Sequence, residues 1–143
     1  MKLMWMPNGI VDCDSISEED FTFDNFSNLC HTNRAWAVNS DKFWPVTNHC
    51  YLTSLICSHL LRNGELSLDE KQKAIIYSMF HDIEETFTTD IPHPFKHKEI
   101  KTLSDDMRNS ILGFLKLEYT ETSKNIVGLC DILSLYWEVK NVG

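Results

Sequence analysis

The residues best suited to chemistry in this 143-residue chain lie in one segment, where His81 and Asp82 are followed by Glu85. On a helix, positions i, i+1 and i+4 lean toward one side, so we expect these three side chains to meet. An imidazole beside a carboxylate can ligate a divalent metal, and a further carboxylate can move a proton. The His-Asp pair alone is weak support, because a chain with six histidines can contain one by chance.

Two further residues fit the same chemistry. Asp131 lies within the apolar stretch IVGLCDIL, where an unpaired carboxylate would cost several kcal/mol or shift its pKa. His49 opens another predicted helix. Together with His81 and Asp82, these residues form a mixed nitrogen and oxygen set that suits Mn, Co, Fe, Ni or Zn. A metal there would lower the pKa of water and supply a nucleophile near neutral pH, with Glu85 placed to handle the proton.

Each of these residues also has a structural interpretation. A helical histidine that faces a core is more often a hydrogen-bonded structural residue than a ligand. Asp131 could instead form a buried ion pair with Arg34, Arg62 or a lysine, without any catalytic role. Glu84, beside Glu85, is expected to be a solvated charge.

The spacing of the apolar residues predicts an all-α fold, a single bundle of five to six helices. Only five glycines and four prolines interrupt a three-and-four periodicity. Ser67 and Glu70 form a predicted capping box at the start of the third helix. Residues 87–98 carry prolines and no apolar period, which predicts a loop, and residues 33–46 are irregular or a short helix. The predicted helices span residues 18–30, 48–62, 67–86, 104–117 and 123–140, within one domain covering residues 1–143.

Helical spacing also indicates which faces are buried. In the second helix Leu52, Leu55, Ile56 and His59 recur at helical spacing, and His59 is expected to be a structural or surface residue. The fifth helix is predicted to be built round Ile126, Leu129, Ile132, Leu133 and Tyr136. The apolar face around Leu133, Tyr136 and Trp137 is either core or an interface between copies of the chain.

The overall composition excludes several classes of function. The formal net charge is −8 and lysines and arginines are not clustered, which disfavours binding to duplex nucleic acid. Five cysteines without a C-x-x-C pair indicate reduced packing residues. No apolar run is long enough for a membrane span or a signal peptide. We expect a cytoplasmic protein, in the host cytoplasm if it is phage-encoded.

The order of the residues from His81 to Lys96 resembles the HD-domain phosphohydrolases, in the branch whose motif reads HD-x-x-E-x-x-x-x-D-x-P-x-P-x-K. A histidine in the second helix, His49, and a late helical aspartate, Asp131, complete the family's pattern in order. The resemblance covers residues 29–136. It implies an all-α fold and a divalent metal (Mn, Co, Fe, Ni, Zn or Mg) held by His49, His81, Asp82 and Asp131.

Within the family, the chain resembles bacterial 5'-deoxynucleotidases and phage deoxynucleoside triphosphate hydrolases. Arg34 precedes His49 by fifteen residues, the spacing of the relatives' phosphate-binding arginine. Glu85 matches their catalytic glutamate, and Asp90 matches the aspartate of the loop that closes on the nucleotide. Lys96 matches a lysine that either binds phosphate or orders this loop.

One position departs from the relatives. They follow their arginine with a tryptophan that packs on the sugar, whereas Ala35 follows Arg34 here and Trp36 comes one place later. Trp36 is therefore the candidate for the sugar contact, and the preference for deoxyribose is open.

The favoured function is a metal-dependent hydrolase of (deoxy)nucleoside 5'-monophosphates. The first alternative is a triphosphohydrolase that releases triphosphate from a deoxynucleoside triphosphate, and the second is a non-catalytic adaptor that keeps the HD scaffold. An HD oxygenase with two irons would need additional ligands that the sequence does not offer. Because the relatives are often dimers or larger, a homodimer or higher homo-oligomer is also expected.

Overall fold

The computed structural model describes residues 2–7, 9–37, 41–91 and 93–143, and helices dominate them, which confirms the all-α prediction. They form two compact units, one of Met1–Val46 with Asp82–Lys116 and one of Thr47–His81 with Leu117–Gly143. The chain therefore passes from one unit to the other between His81 and Asp82. The helices are α1 (Phe23–Phe26), α2 (Val46–Leu61), α3 (Leu68–Phe80), α4 (Glu85–Thr88), α5 (Lys98–Phe114) and α6 (Glu121–Asn141). No helix in the described ranges is long and apolar enough to cross a membrane.

A β-hairpin near the N-terminus was not predicted. Strands β1 (Leu3–Met6) and β2 (Gly9–Asp12) pair antiparallel, with Met6 opposite Gly9. Gly9 has a φ of 124°, a conformation that favours glycine. The Asn-Gly dipeptide at residues 8–9 is the sequence signal for such a hairpin, although Asn8 lies outside the described residues.

The predicted first helix, residues 18–30, is wrong as a continuous helix. The segment consists of a 3₁₀ turn (Glu18–Asp20), α1 and a second 3₁₀ turn (Ser27–Cys30). The break falls at Thr22, whose backbone is extended and whose hydroxyl accepts a hydrogen bond from the Asn25 amide as the cap of α1. A new helix start therefore interrupts the apolar period.

The second and fifth predicted helices are confirmed as α2 and α6 to within two residues at each end, but their buried faces were wrongly predicted. Leu55 of α2 is exposed, as are Leu129 and Ile132 of α6. The buried core of this unit instead consists of Cys57, Leu61, Ala74 and Cys130. Small and polar residues occupy the inner faces of both helices, so apolar spacing selected the wrong sides.

The third predicted helix ends earlier than residue 86. Only half of the predicted capping box forms: the Ser67 hydroxyl accepts from the Glu70 amide, whereas the Glu70 carboxylate accepts from the Thr120 hydroxyl, and α3 ends at Phe80. After Phe80 the backbone forms hydrogen bonds to the residue three positions earlier, as in a 3₁₀ turn. The Glu85 amide donates to the Asp82 carbonyl at 3.0 Å, and the Thr86 amide donates to the Ile83 carbonyl at 3.2 Å. His81, Asp82 and Glu85 therefore do not share one α-helix, and α4 begins only at Glu85.

The predicted loop of residues 87–98 is partly helical. It contains the end of α4 and a 3₁₀ turn at His93–Phe95, and α5 begins at Lys98 rather than at residue 104. Pro92, part of the motif, lies outside the described residues. Ser104, the predicted start, is buried inside α5 instead.

Candidate active site

Three predicted metal ligands meet in the unit that contains α2, α3 and α6. One ligand atom from each of His49, His81 and Asp131 lies within 4.8 Å of the other two. The Nε2 atom of His49 is 2.9 Å from Asp131 Oδ1, and the Nε2 atom of His81 is 3.7 Å from the same oxygen. Side chains far apart in sequence thus converge at one point, as the sequence predicts.

A hydrogen bond from Nδ1, the ring nitrogen that does not face Asp131, orients each imidazole. His81 Nδ1 donates to the Ser78 carbonyl oxygen at 2.7 Å, a helix C-terminal carbonyl that has no amide partner further along α3. His49 Nδ1 donates to the carboxylate of Glu138. Since a carbonyl and a carboxylate can only accept, both histidines carry their proton on Nδ1 when neutral and turn the Nε2 lone pair toward Asp131.

This arrangement fits a divalent metal. Lone pairs on Nε2 and on a carboxylate oxygen repel each other at 2.9 Å unless a cation, either a proton or a metal, lies between them. Burial tends to raise the pKa of Asp131, but the two imidazoles, when they carry a proton on Nε2 as well, outweigh burial and hold that pKa well below its usual range. Two imidazoles and one ionised carboxylate are a donor set for a transition metal or zinc.

The alternative in which Asp131 pairs with Arg34 or Arg62 is wrong. Asp131 contacts the two histidines, whereas Arg34 pairs with Asp82 and Asp90, and Arg62 lies against His59. The Asp131 side chain is only partly buried, with 44% of it exposed. It is therefore open to a ligand on its outer side.

Glu138 is a member of the site that sequence reasoning missed. It is completely buried, and its carboxylate holds His49 Nδ1 while the Ser134 hydroxyl donates to the same oxygen at 3.3 Å. A carboxylate behind a ligating histidine fixes the ring and raises its basicity. The spacing was available as a signal, because Asp131, Ser134 and Glu138 are separated by three and four residues on one face of α6.

A second group of predicted residues gathers in the other unit, around Arg34. Its Nη1 atom lies 3.5 Å from Asp90 Oδ1 and 3.9 Å from Asp82 Oδ2. The strand-like pairing of residues 32–34 with 44–46 positions the arginine, whose amide donates to the Trp44 carbonyl at 2.9 Å. Arg34 and the two aspartates thus lie together, with one cation shared by two carboxylates.

Glu85, the first residue of α4, is 2% exposed and its Oε2 atom has no hydrogen-bond partner among the described residues. Burial raises the pKa of Glu85 well above its usual value of 4.5, the carboxylates of Asp82 and Asp90 raise it further, and Arg34 opposes them only in part. The surroundings of Glu85 therefore favour the protonated form of its carboxyl group. A protonated carboxyl group can donate to a leaving oxygen.

Glu84 is not the solvated charge that was predicted. Glu84 is 1% exposed, and Arg108 of α5 donates two hydrogen bonds to its carboxylate. Arg108 Nε donates to Oε2 at 3.1 Å, and Nη2 donates to Oε1. Sequence reasoning missed Arg108 because the partners are 24 residues apart on different helices. The pair compensates a buried charge directly beside Glu85.

The remaining predicted site residues lie in the same unit as Arg34. Trp36 is half-buried in the 3₁₀ turn Ala35–Ala37, which follows Arg34 directly. Lys96 is half-exposed just after the turn at His93–Phe95. Their roles toward sugar and phosphate stay predictions.

Comparison with known proteins agrees with this geometry. A family model described as HD domain matches residues 26–131, a range that includes every predicted metal ligand. A search of curated proteins finds no significant match. Proteins with this domain generally bind divalent metals and hydrolyse phosphoesters. The chain belongs to the HD-domain family, whose members are in general metal-dependent phosphohydrolases.

Proposed function

We propose that this HD-domain protein hydrolyses the phosphoester bond of nucleoside 5'-monophosphates. The observation that carries the proposal is the convergence of metal-ligating atoms from His49, His81 and Asp131. We assign Arg34, which already lies against two carboxylates, as the phosphate-binding cation, and buried Glu85 as the proton donor. Asp82 follows His81 directly in the chain, and we assign it as the fourth ligand.

A bound divalent metal would neutralise charge on the phosphate and activate a water molecule for attack. The protein's own residues perform the other tasks. Arg34 exchanges its contacts with Asp82 and Asp90 for phosphate oxygens, which its planar guanidinium can bind as a fork. Glu85 donates its proton to the ester oxygen that leaves with the nucleoside. Most of the catalysis then comes from positioning and charge neutralisation.

The charge around Arg34 favours a monophosphate. One guanidinium lies between two aspartates, so the group is already negative before a substrate arrives. Each further phosphate adds negative charge that the metal and Arg34 would have to neutralise. A triphosphate is therefore the less favourable substrate. Trp36 lies near Arg34 in sequence and is the candidate for a sugar contact. Lys96 lies near Asp90 in sequence and is the candidate for an additional phosphate contact.

Turnover by the purified chain tests this function. The metal-stripped protein is resupplied with Co, Mn, Mg or Zn and incubated with ribo- and deoxynucleoside mono- and triphosphates, and the products are separated by chromatography. We expect metal-dependent release of inorganic phosphate and nucleoside. Glu85→Ala should bind the metal but slow turnover by about 10²-fold or more.

Glu65→Gln is the matched control, because Glu65 is exposed and in neither group of site residues. Release of intact triphosphate would replace the proposal with the triphosphohydrolase reaction. Absence of turnover on every nucleotide, or full activity in Glu85→Ala, would contradict the proposed mechanism. A chain that binds metal without turnover would instead be the non-catalytic adaptor.

A further inference from the structure

The buried face of α5 carries a charged residue, Arg108. Its neighbours on that face, Ser104, Met107 and Ile111, are at most 4% exposed. The Arg108 side chain is itself only 18% exposed. A guanidinium does not lose its charge in a protein, so it is tolerated on such a face only when carboxylates and hydrogen bonds compensate it.

Each of the three guanidinium nitrogens of Arg108 donates to a carboxylate. Nε donates to Oε2 of Glu84 at 3.1 Å, and Nη2 donates to the other oxygen of the same group. Nη1 donates at 3.2 Å to Oδ1 of Asp105, which lies one turn earlier on α5. Two parallel hydrogen bonds to one carboxylate fix its distance and also its rotation. The Glu84 side chain is therefore held in a defined orientation against α5.

Glu84 is also the residue from which α4 starts. Its carbonyl oxygen accepts from the amides of Phe87 at 3.0 Å and Thr88 at 3.1 Å, which are the first hydrogen bonds of this helix. Within the described part of the chain, its carboxylate bonds to Arg108 and does not cap α4. A helix of four residues is not stable by itself, so contacts with its surroundings must set its orientation.

We propose that Arg108 is a positioning residue for Glu85. By holding both oxygens of Glu84, Arg108 fixes the start of α4, and Glu85 is the next residue and the first of that helix. The Oε2 atom of buried Glu85 has no hydrogen-bond partner among the described residues, so the backbone of α4 has to aim it. Arg108 acts through Glu84 and does not touch the substrate. The inference rests on the proposed function, in which Glu85 is the proton donor.

A purely structural role for the Glu84 and Arg108 pair predicts a different result. Removing one partner of a buried ion pair destabilises a protein, whereas replacing both by apolar residues of similar volume is close to neutral. We therefore expect Arg108→Met to lower the melting temperature and the double variant Glu84→Met/Arg108→Met to restore it. The double variant keeps the volume of the pair without the hydrogen bonds that orient Glu84, so it separates stability from positioning.

Steady-state kinetics of these variants tests the positioning role. We expect Arg108→Met and the double variant to lower kcat by about 10²-fold, the loss that a displacement of about 1 Å produces, with KM little changed because Arg34 still binds the phosphate. Arg108→Lys supplies a charge without the planar fork and should give an intermediate kcat. Arg62→Met is the control with wild-type kcat, because Arg62 is exposed and in neither group of site residues.

A second comparison asks whether Arg108 acts through Glu85. In a Glu85→Ala background, Arg108→Met should cause no further loss of kcat, since both changes remove the contribution of the same carboxyl group. An equally large loss in that background would overturn the proposal. Recovery of wild-type kcat in the double variant Glu84→Met/Arg108→Met would also overturn it, because the pair would then act through stability alone.

Amide hydrogen exchange tests the same role without turnover. The amides of Phe87, Thr88 and Thr89 form the hydrogen bonds of α4. In the double variant we expect these amides to lose protection while those of α3 and α6 exchange as in the wild type. Wild-type protection of α4 in that variant would contradict the proposal. If the wild type turns over no nucleotide, the proposed function fails, and the exchange result still decides whether Arg108 fixes the start of α4.

Discussion

At the scale of single residues, the surroundings of Glu85 disfavour the ionised form of its carboxyl group. It is buried, one of its oxygens has no hydrogen-bond partner among the described residues, and three carboxylates (Asp82, Glu84 and Asp90) raise its pKa. The folded chain therefore retains the Glu85 proton to a higher pH than the unfolded chain, in which the usual pKa is 4.5. Burying Glu85 in these surroundings lowers the free energy of unfolding, and a role in proton transfer explains why a glutamate is present there.

The cost has a defined pH dependence. Between about pH 4.5 and the higher pKa of the folded state, folding takes up a proton at Glu85, so its contribution to stability falls as the pH rises. Glu85→Gln removes the titration. We expect it to raise the melting temperature of the metal-free protein at pH 7 by about 2–5 °C, which corresponds to about 1 kcal/mol in a domain of this size.

Thermal unfolding of the two proteins across a pH series measures this difference, with exposed Glu65→Gln as the control. The gain should shrink on acidification and vanish below about pH 4.5, where the unfolded carboxyl is also protonated. An equal melting temperature at pH 7, or a gain that grows toward acid, would show that the folded chain does not raise the pKa of Glu85.

At the scale of elements, the end of α4 holds a strained residue. Thr89 has φ 62° and ψ 176°, a conformation that is essentially restricted to glycine and costs about 1–3 kcal/mol for other residues. Its amide donates to the Glu85 carbonyl at 3.0 Å and so ends the helix. The next residue is Asp90, which pairs with Arg34. The strained turn thus connects the catalytic candidate Glu85 to Asp90, which pairs with the phosphate-binding candidate Arg34.

Thr89→Gly should relieve this strain. Glycine itself costs about 0.5–1 kcal/mol of backbone entropy, so we expect a net stabilisation of about 1 kcal/mol. Thr89→Ala keeps the Cβ atom and is the matched variant, for which we expect no gain. Urea unfolding curves for the three proteins measure the difference. A glycine variant no more stable than the alanine variant would mean that the turn is not strained.

The sequence predicted those elements whose boundaries depend on local chemistry. Ser67 caps α3 through a contact within its own first turn, and α2 and α6 begin and end close to the predicted residues. Apolar periodicity shows which residues share a face but not which face is buried. In α6 the inner face is occupied by Ser134 and Glu138, whose burial depends on His49 from a distant segment. The same dependence explains why the histidine and aspartate ligands were predicted and the glutamate behind them was not.

At the scale of the whole molecule, a divalent cation would add positive charge to a chain of formal net charge −8. The candidate ligands come from α2, the end of α3 and α6, so they are assembled only in the folded chain. A ligand that binds the folded state alone raises stability by about 2.7 kcal/mol at one hundred times its dissociation constant. We therefore expect metal binding to stabilise the protein against unfolding and a chelator to reverse the effect.

Glu138 allows this linkage to be tested without touching a ligand. Glu138→Gln keeps an oxygen that accepts from His49 Nδ1 but removes the negative charge behind the ring, so we expect metal affinity to fall about 10–100-fold. The melting temperature is followed while Mn or Co is titrated, and each protein is compared with its own metal-free form. Glu65→Gln, the same chemical change at an exposed position, should follow the wild type. If Glu138→Gln and the wild type need the same metal concentration to raise their melting temperatures, the Glu138 carboxylate does not tune His49. Metal binding would then be independent of the orientation of His49.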